Sequence, residues 1–422
     1  MHKFKTTEDF IYKGTAYPGI PMLVDNEERP VSVVNSFMLH LYFSVGRVDS
    51  PKTLDNYIEA LSDYFSWLEA QTDANGNQIL FWDQQPKKTS IGLEPSNLAL
   101  YQKWSQSVYK KPNGRPLSYS TINQRTSCIR RFYKWAKDEA QLINFSPVSI
   151  TLVAVGGKRH PDALAHTHGQ RLVESSNLTL KTQVKLPKLL SLAECKELLS
   201  LTMSQTVRVM TRLMLASGIR NEECRTFPRE YVFDPTGLDK RKRIKIALDP
   251  DDMKLKNNTP RTIYISWQMM KELYEYTQFG EGVEREKRYK KKHGTASPQL
   301  FLNEQGGFWS DKGLNNKYRK LWKGYTQHGR KYPPVITFKV APHMLRHTFA
   351  TMELYHESNA VDRKTGKAKG SGHGLMWVKE RLGHKSIQTT TIYTHCLSAL
   401  ETPELNDYQT ELDAMLTGGA HG

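Results

Sequence analysis

The sequence predicts a mainly α-helical protein with an N-terminal four-helix domain and a C-terminal domain that mixes helices with a small antiparallel sheet. Three observations lead to this fold class. The 422 residues are too many for one ordinary hydrophobic core. Apolar side chains recur at helical spacing from Val31 to Ala136. Alternating apolar and polar residues over 242–266 predict two strands joined by a turn.

Composition favours a polyanionic partner. The chain has 60 Lys and Arg against 43 Asp and Glu, a formal charge of +17, and a pI of about 9.5. Such an excess promotes binding to nucleic acid through counterion release.

The sequence shows no apolar leader and no 18-residue apolar stretch, so neither secretion nor membrane insertion is expected. The cysteines are scattered without C-x-x-C spacing, which predicts reduced thiols rather than disulfides or a zinc site; they are Cys128, Cys195, Cys224 and Cys396.

The N-terminal half divides into a segment, 1–29, to which no function is assigned, and a helical domain, 30–145. Four amphipathic helices are predicted in the domain, and their aromatic residues are expected to form its core. The fourth helix also carries a basic face opposite its apolar stripe, which suits contacts with DNA phosphates. The residues of this basic face are Arg125, Arg130, Arg131 and Lys134. The alternative is that they form a solvated charged face without a DNA contact.

Residues 146–187 lose the helical periodicity and are interpreted as a connection between domains. The histidines at 160, 166 and 168 have no cysteine or carboxylate partners at metal-binding spacing and are interpreted as linker residues.

The second domain is predicted to span 188–422. Ser191 and Glu194 form a capping box, and an apolar helix follows over 206–216. The basic stretch from Arg285, R-E-K-R-Y-K-K-K, is interpreted as an exposed loop, with a DNA-backbone contact as the alternative.

The residues from Pro342 to His395 carry the chemistry. His343 and Arg346 are three apart on a predicted helix, so their side chains project together. His384 follows a helix stopped by Gly383, and Tyr393 lies on a third short helix. Arg suits forked binding of phosphate oxygens, and Tyr serves as a nucleophile only where cations stabilise its oxyanion. These residue types indicate metal-free phosphoryl transfer through a phosphotyrosine.

Three motifs resemble the catalytic C-terminus of the tyrosine recombinases, the phage-integrase family. They are H-M-L-R-H-T-F-A-T, R-L-G-H-K-S and T-T-T-I-Y-T-H, in the family's order and spacing. The resemblance implies two further motifs, and the chain has both. L-A-S-G-I-R-N-E-E places Arg220 and Glu223, and K-N-N-T-P-R-T-I-Y-I places Lys256. It also implies that the four-helix unit is the family's core-binding, SAM-like domain, and that the second domain is the catalytic one.

By this resemblance the chain would be a site-specific integrase that cuts and rejoins duplex DNA for integration or excision of a mobile element. Arg220 and Arg346 would grip the scissile phosphate, with His343 and His384 hydrogen-bonded to it. Tyr393 would attack phosphorus, and one of the two histidines, His343 in preference to His384, would assist removal of its proton. Lys256 would protonate the leaving 5′-oxygen. Glu223 would orient an arginine or lysine from behind. No metal or cofactor is expected.

The expected partner is double-stranded DNA with inverted-repeat core sites, with accessory factors left open. An amphipathic C-terminal stretch containing Leu405, Tyr408, Leu412 and Met415 is expected to pack into a neighbouring protomer and close a homotetramer on DNA. The protein is expected to be cytoplasmic and nucleoid-associated, without a membrane. Residues 357–373 form a Gly/Lys-rich insertion that is longer than the family has there, with no assigned function.

Two alternative functions stay open from the sequence alone. A type IB-like topoisomerase uses a similar set of residues, and a catalytically silent DNA-binding protein would retain the basic surface. The i, i+4 pair His343 and His347 has the spacing of a metalloprotease, but the glutamate of H-E-x-x-H is missing. His347 is therefore interpreted as a structural helix residue.

Overall fold

The computed structural model describes residues 1–43, 51–90, 92–148, 150–155, 171–182, 185–201, 203–360 and 370–397. The chain divides into two compact units, Met1–Val184 and Lys185–Gly422. Both combine helices with two-stranded antiparallel sheets, as the mainly helical prediction expects. Among the described helices, none is long and apolar enough to cross a membrane.

The first unit is built on four helices within its described residues. They are α1 (Ser32–Phe43), α2 (Pro51–Glu69), α3 (Asn97–Ser107) and α4 (Tyr119–Asp138). Serine hydroxyls accept from backbone N–H groups at two helix starts, Ser96 on α3 and Ser118 on α4, which satisfies donors that the helix leaves unpaired. The predicted aromatic core is confirmed: Tyr64, Tyr101 and Phe132 are almost completely buried.

The N-terminal segment packs on these helices. Its strands are β1 (His2–Lys5), β2 (Ile11–Tyr12), β3 (Thr15–Ala16) and β4 (Pro21–Val24); β1 pairs with β4, and β2 with β3. Leu23 on β4 belongs to the same apolar cluster as Val34 and Phe37 on α1. A short hairpin of β5 (Lys88–Thr89) and β6 (Gly92–Leu93) follows α2.

The connection between the predicted domains contains a hairpin. Its strands β7 (Ile150–Val155) and β8 (Arg171–Ser176) pair along six residues each. The three linker histidines lie outside the described residues, as do the four residues of the predicted exchange helix, Leu405, Tyr408, Leu412 and Met415.

The second unit is built of helices packed around one that is largely buried, Gln205–Ser217. In chain order its helices are α5 (Leu192–Ser200), α6 (Gln205–Ser217), α7 (Asn221–Arg225), α8 (Trp267–Gln278), α9 (Glu281–His293), α10 (Gly313–Lys323), α11 (Pro342–Asn359), α12 (Gly370–Leu382) and α13 (Ile392–Leu397). The predicted burial of the 206–216 helix is confirmed by α6. The capping box is also confirmed, because Ser191 and Glu194 exchange hydrogen bonds of 3.1 and 2.8 Å.

Two hairpins extend from this unit. The strands β9 (Ile244–Leu248) and β10 (Arg261–Ile265) are antiparallel, which confirms the predicted pair around Lys256. The strands β11 (Tyr325–Gln327) and β12 (Arg330–Tyr332) form a second, shorter hairpin. The predicted insertion, 357–373, is shorter in the structure, because α11 ends at Asn359 and α12 begins at Gly370.

The prediction of a loop at the basic stretch from Arg285 was wrong, because the stretch forms α9. Arg285 is 4 % exposed; it pairs with Glu281 at 2.7 Å and donates to the Leu302 carbonyl at 2.7 Å. Glu281 and Glu284 lie in the first turn and three lysines in the last, the order that the helix dipole favours. Burial of Arg285 and this charge order stabilise a helix that the sequence pattern alone did not indicate.

Gly218, which ends α6, is predicted to be the most sensitive glycine near the site. It has φ +65°, and a Cβ there would lie 2.2 Å from the Phe349 ring. Left-handed strain costs about 1–2 kcal/mol and overpacking about 1–3 kcal/mol, so Gly218→Ala is expected to lower the free energy of unfolding by about 2–5 kcal/mol. Gly294→Ala is the matched control, with φ +74° and open space around it. Urea denaturation of both variants measures the difference; equal losses would show that Phe349 moves aside without cost.

Candidate active site

Local sequence brings five of the six predicted catalytic residues to helix ends and faces of the second unit. Gly218 ends α6 in the left-handed conformation, and Arg220 then caps α7. His343 and Arg346 lie on the first turns of α11, which Pro342 opens. His384 follows the end of α12 and Tyr393 lies on α13; the apolar cluster of α11, α12 and α13 includes the Tyr393 ring.

The two predicted phosphate-binding arginines converge on one acceptor. The Arg346 Nη2 donates to the Leu382 carbonyl at 2.6 Å, and the Arg220 Nη2 donates to the same oxygen at 3.1 Å. Arg346 also donates to the Gly218 carbonyl at 2.5 Å. Burial, with the nearby charges of Arg220 and Arg261, lowers the pKa of Arg346 to about 9. The two guanidinium groups thus form a concentrated positive site directed at a single oxygen.

Glu223 holds the arginines from behind. Its carboxylate is 1 % exposed, accepts from the Arg220 Nη1 at 2.8 Å and from the Arg220 backbone N–H at 2.6 Å, and pairs with Arg261. Burial would raise the pKa of Glu223, but Arg261 and Arg220 outweigh it and hold the pKa below its usual value. The carboxylate is therefore ionised at neutral pH and fixes the orientation of two guanidinium groups.

Arg261 is a site residue that the sequence reasoning used only to mark the start of a strand. Besides Glu223, it contacts the Arg381 carbonyl at 3.3 Å, in the last turn of α12. The α12 carbonyls of Arg381 and Leu382 thus accept from Arg261, Arg220 and Arg346. The end of this helix carries partial negative charge, which explains why three cations gather there.

Tyr393 lies in the same pocket. It is 2 % exposed, its ring stacks on His384 with centroids 6.3 Å apart, and its hydroxyl is 3.0 Å from the His347 Nδ1. Burial raises the pKa of Tyr393, while Arg346 and Arg220 act in the opposite direction. A phenol in this environment keeps its proton at neutral pH, so a nucleophilic role requires a base next to the hydroxyl.

His347, which the sequence analysis interprets as a structural helix residue, occupies that position. Burial, with the charges of His343 and Arg346, lowers the pKa of His347 to about 4. A neutral imidazole at pH 7 can accept a hydrogen bond from the tyrosine hydroxyl at Nδ1. His343 is exposed and lies one turn earlier, with its ring centroid 6.1 Å from that of His347. The only sequence signal for His347 was its i, i+4 spacing from His343.

His384 is also neutral at pH 7. Its Nδ1 lies 3.0 Å from the Thr390 hydroxyl, and burial together with Arg346 and Arg220 lowers its pKa to about 3. The hydroxyl fixes the orientation of the ring against Tyr393. A neutral His384 can donate one hydrogen bond to an anion but cannot supply a net charge.

Lys256 is the sixth predicted residue and lies apart from these contacts. It begins a 3-10 turn, Lys256–Asn258, between β9 and β10, and its side chain is exposed. Within the described residues it contacts none of the other five. Arg261, five residues later, reaches Glu223, so the hairpin that carries Lys256 is anchored at the site.

Some of the basic side chains predicted to contact DNA from α4 are engaged with other side chains of the first unit. Arg125 is paired with Asp63 at 2.5 Å and lies over the Tyr109 ring, so its guanidinium group already has a carboxylate partner. Arg131 donates to the Tyr57 hydroxyl at 3.2 Å. Arg130, Arg131 and Lys134 line a surface cavity of about 640 Å³.

No site for a metal ion is evident in the part of the chain that the structure describes. No three His, Cys, Asp or Glu side chains cluster there in a way that could hold one. The candidate site can hold an anion with two guanidinium groups, with a phenol and a neutral imidazole beside it.

Curated relatives are similar to the chain along most of its length. A protein named tyrosine recombinase XerC from Halalkalibacterium halodurans is 24% identical over 363 residues, which cover 86% of this chain and 92% of the relative. The XerC of Bacillus subtilis is 25% identical, covering 84% and 89%. That of Anoxybacillus flavithermus is 26% identical, covering 85% and 93%. No family model matches the chain.

Solved structures with a related course of the chain are also recombinases and integrases. They include XerH bound to difH substrate (TM-score 0.47, 16% identity, 83% of this chain and 79% of that one). Two more are the Tn1549 transposon integrase with right-end DNA (TM-score 0.47, 18% identity, 91% of this chain and 98% of that one) and a lambda integrase dimer on a core site (0.47, 14%, 86% and 94%). The curated relatives, which span most of both chains, and the three C-terminal motifs with the Arg220 motif in register identify the chain as a member of the tyrosine recombinase family.

Proposed function

We propose that this chain is a site-specific DNA recombinase that cuts and rejoins duplex DNA through a 3′-phosphotyrosyl intermediate, for integration or excision of a mobile element. One observation carries the proposal. The buried Tyr393 side chain lies close enough to Arg220 and Arg346 for both guanidinium groups to act on its pKa. The same two groups donate to one oxygen, the Leu382 carbonyl. The similarity to proteins named tyrosine recombinases along most of the chain supports the same activity.

Arg220 and Arg346 bind the non-bridging oxygens of the scissile phosphate. Two guanidinium groups that already meet at the Leu382 carbonyl are spaced to share a single anion. Such preorganised cations stabilise the negative charge that grows on the phosphate oxygens in the pentavalent transition state. His384, held by Thr390, donates a further hydrogen bond to the same phosphate.

The Tyr393 oxygen attacks phosphorus, forms the P–O bond to the protein and breaks the bond to the 5′-oxygen. His347 takes the phenolic proton, because its Nδ1 lies 3.0 Å from the hydroxyl. His343, to which the sequence reasoning gave this role, hydrogen-bonds the phosphate. Lys256 donates a proton to the leaving 5′-oxygen. The ester keeps the bond energy, so a 5′-hydroxyl can attack in reverse and no cofactor is consumed.

The first unit serves as the core-binding, SAM-like domain, and its surface side chains Arg130, Arg131 and Lys134 contact phosphates of the duplex. The basic charge of the chain, +17, supports this partner. The target is a duplex with inverted-repeat core sites. On this DNA the protein assembles into a homotetramer through its C-terminal residues. It acts at the nucleoid, together with accessory factors.

Covalent trapping tests this function. Duplexes selected from a random library by the full chain are nicked near the centre of the site, so that the released fragment diffuses away and the tyrosyl ester persists. We expect a protein–DNA species that survives detergent. Binding without that species would indicate a silent DNA-binding protein. Relaxation of a supercoiled plasmid that lacks the selected site would indicate a topoisomerase.

A further inference from the structure

A second basic surface lies in the catalytic unit, on a stretch of the chain that contains none of the predicted catalytic residues. Residues 312–341 contain no Asp or Glu but eight cationic side chains: Lys312, Lys317, Arg319, Lys320, Lys323, Arg330, Lys331 and Lys339. The hairpin of β11 and β12 lies at the centre of this stretch. We call residues 325–332 the basic ribbon.

The basic ribbon is a regular two-stranded protrusion. Tyr325 pairs with Tyr332 and Gln327 with Arg330, and the turn residues His328 and Gly329 have φ +49° and +74°. Two left-handed residues at a two-residue turn give a hairpin with the ordinary right-handed twist. The side chains near the tip, from Thr326 to Lys331, are exposed.

The basic ribbon does not contribute to the hydrophobic core. The apolar cluster of the unit includes Leu314 and Tyr318 before it and Ile336 and Val340 after it, but no residue of the ribbon itself. Its ends adjoin, since a Cβ on Gly324 would lie 2.3 Å from the Tyr332 carbonyl. The chain could close this gap without the eight residues, so packing does not explain them.

The base of the ribbon is held rigid by stacked rings. Tyr325 and Tyr332 are 4.5 Å apart and nearly parallel, at 6°. Lys320 lies over Tyr325 at 4.3 Å, and Arg330 lies over Tyr332 at 5.6 Å. Cation–π contacts of this kind hold the charges of Lys320 and Arg330 in place, whereas Lys317, earlier in the stretch, pairs with Glu304. The surface is therefore positive, preorganised and exposed, which suits a polyanion.

We propose that the basic ribbon enters the major groove of the duplex that the active site cuts, and that Gln327 and Arg330 read base edges there. The major groove admits a two-stranded ribbon, Arg pairs with guanine and Gln with adenine. Gln327 and Arg330 are directly opposed and therefore share one face of the ribbon. Lys331 lies on the other face and contacts a phosphate. This proposal rests on the proposed function.

Site selection from a random duplex library tests the ribbon, using the full chain. For Gln327→Ala and Arg330→Ala we expect base preference to fall about 5- to 150-fold at one or two adjacent positions, with the rest of the site unchanged. For Lys331→Ala we expect uniformly weaker binding and a salt dependence reduced by about one phosphate contact. Lys271→Ala is the matched control for charge, because Lys271 is exposed on α8 and its ion pair with Glu275 lies within the same helix.

The outcomes separate this proposal from the recombinase function. If Gln327→Ala and Arg330→Ala select the same site as the unaltered chain, with the same base preferences, while the chain still forms the covalent adduct, the ribbon proposal is overturned and the function stands. If the unaltered chain forms no adduct on its selected duplex, the function fails. Thermal unfolding of the variants is expected to match that of the unaltered chain, because the ribbon lies outside the core; a large loss of stability would contradict that premise.

Discussion

Tyr393→Phe is expected to abolish the covalent protein–DNA adduct and leave duplex binding within about twofold of the unaltered chain. The substitution removes one oxygen from a ring that is 2 % exposed and packed with Phe349 and Val378, so the volume of the core is almost unchanged. Without the hydroxyl no P–O bond to the protein can form. Detergent-resistant adducts on nicked duplexes measure the first effect, and gel-shift titration measures the second.

Tyr274→Phe provides the matched control. Tyr274 lies on α8 in the same unit, is partly exposed and makes no side-chain hydrogen bond in the described structure. We expect its adduct yield to equal that of the unaltered chain. An adduct that persists in Tyr393→Phe would disprove the nucleophile assignment. A loss in both variants would instead indicate that general destabilisation, rather than chemistry, limits the reaction.

Local patterns were enough to predict most of the helices near the site. α6 is buried over most of its circumference, and its two arginines, Arg208 and Arg212, lie on the one face that stays partly exposed, as the spacing of its apolar residues predicts. Gly218 and Pro342 mark a helix end and a helix start for backbone reasons that neighbouring residues do not alter. The basic helix α9 was missed because its stability depends on burial of Arg285 against a distant carbonyl.

The candidate site divides in the same way. Arg220 and Tyr393 were placed by motifs whose spacing is visible in the sequence. Arg261 and His347 were missed as site residues because their contacts join segments 38 and 46 residues apart. The pairing of Arg125 with Asp63, 62 residues away, likewise was not predicted from the sequence. Periodicity identifies the face of a helix on which a residue lies, but the partner that approaches this face is set by the tertiary fold.

Arg346→Lys is expected to lower the rate of adduct formation by roughly 10²–10³-fold, the size of effect seen when one preorganised donor to a developing anion is removed. Lysine retains the positive charge but lacks the planar fork that reaches the Gly218 and Leu382 carbonyls together. It therefore cannot be held by both carbonyls while directing an N–H at the phosphate. Single-turnover cleavage of a nicked duplex, at saturating protein, measures the rate separately from binding.

Arg225→Lys distinguishes this effect from loss of stability. Arg225 is also buried, at 7 % exposure against 4 % for Arg346, and donates to the Trp309 carbonyl at 2.7 Å and to Asp311 at 2.6 Å. Its fork is lost in the same way, so the two variants are expected to lose comparable stability in urea. Of these two arginines it is Arg346 that shares an acceptor with Arg220, and its replacement, unlike that of Arg225, is expected to slow the chemical step. Similar rates for both variants would mean that Arg346 supports the fold and not the transition state.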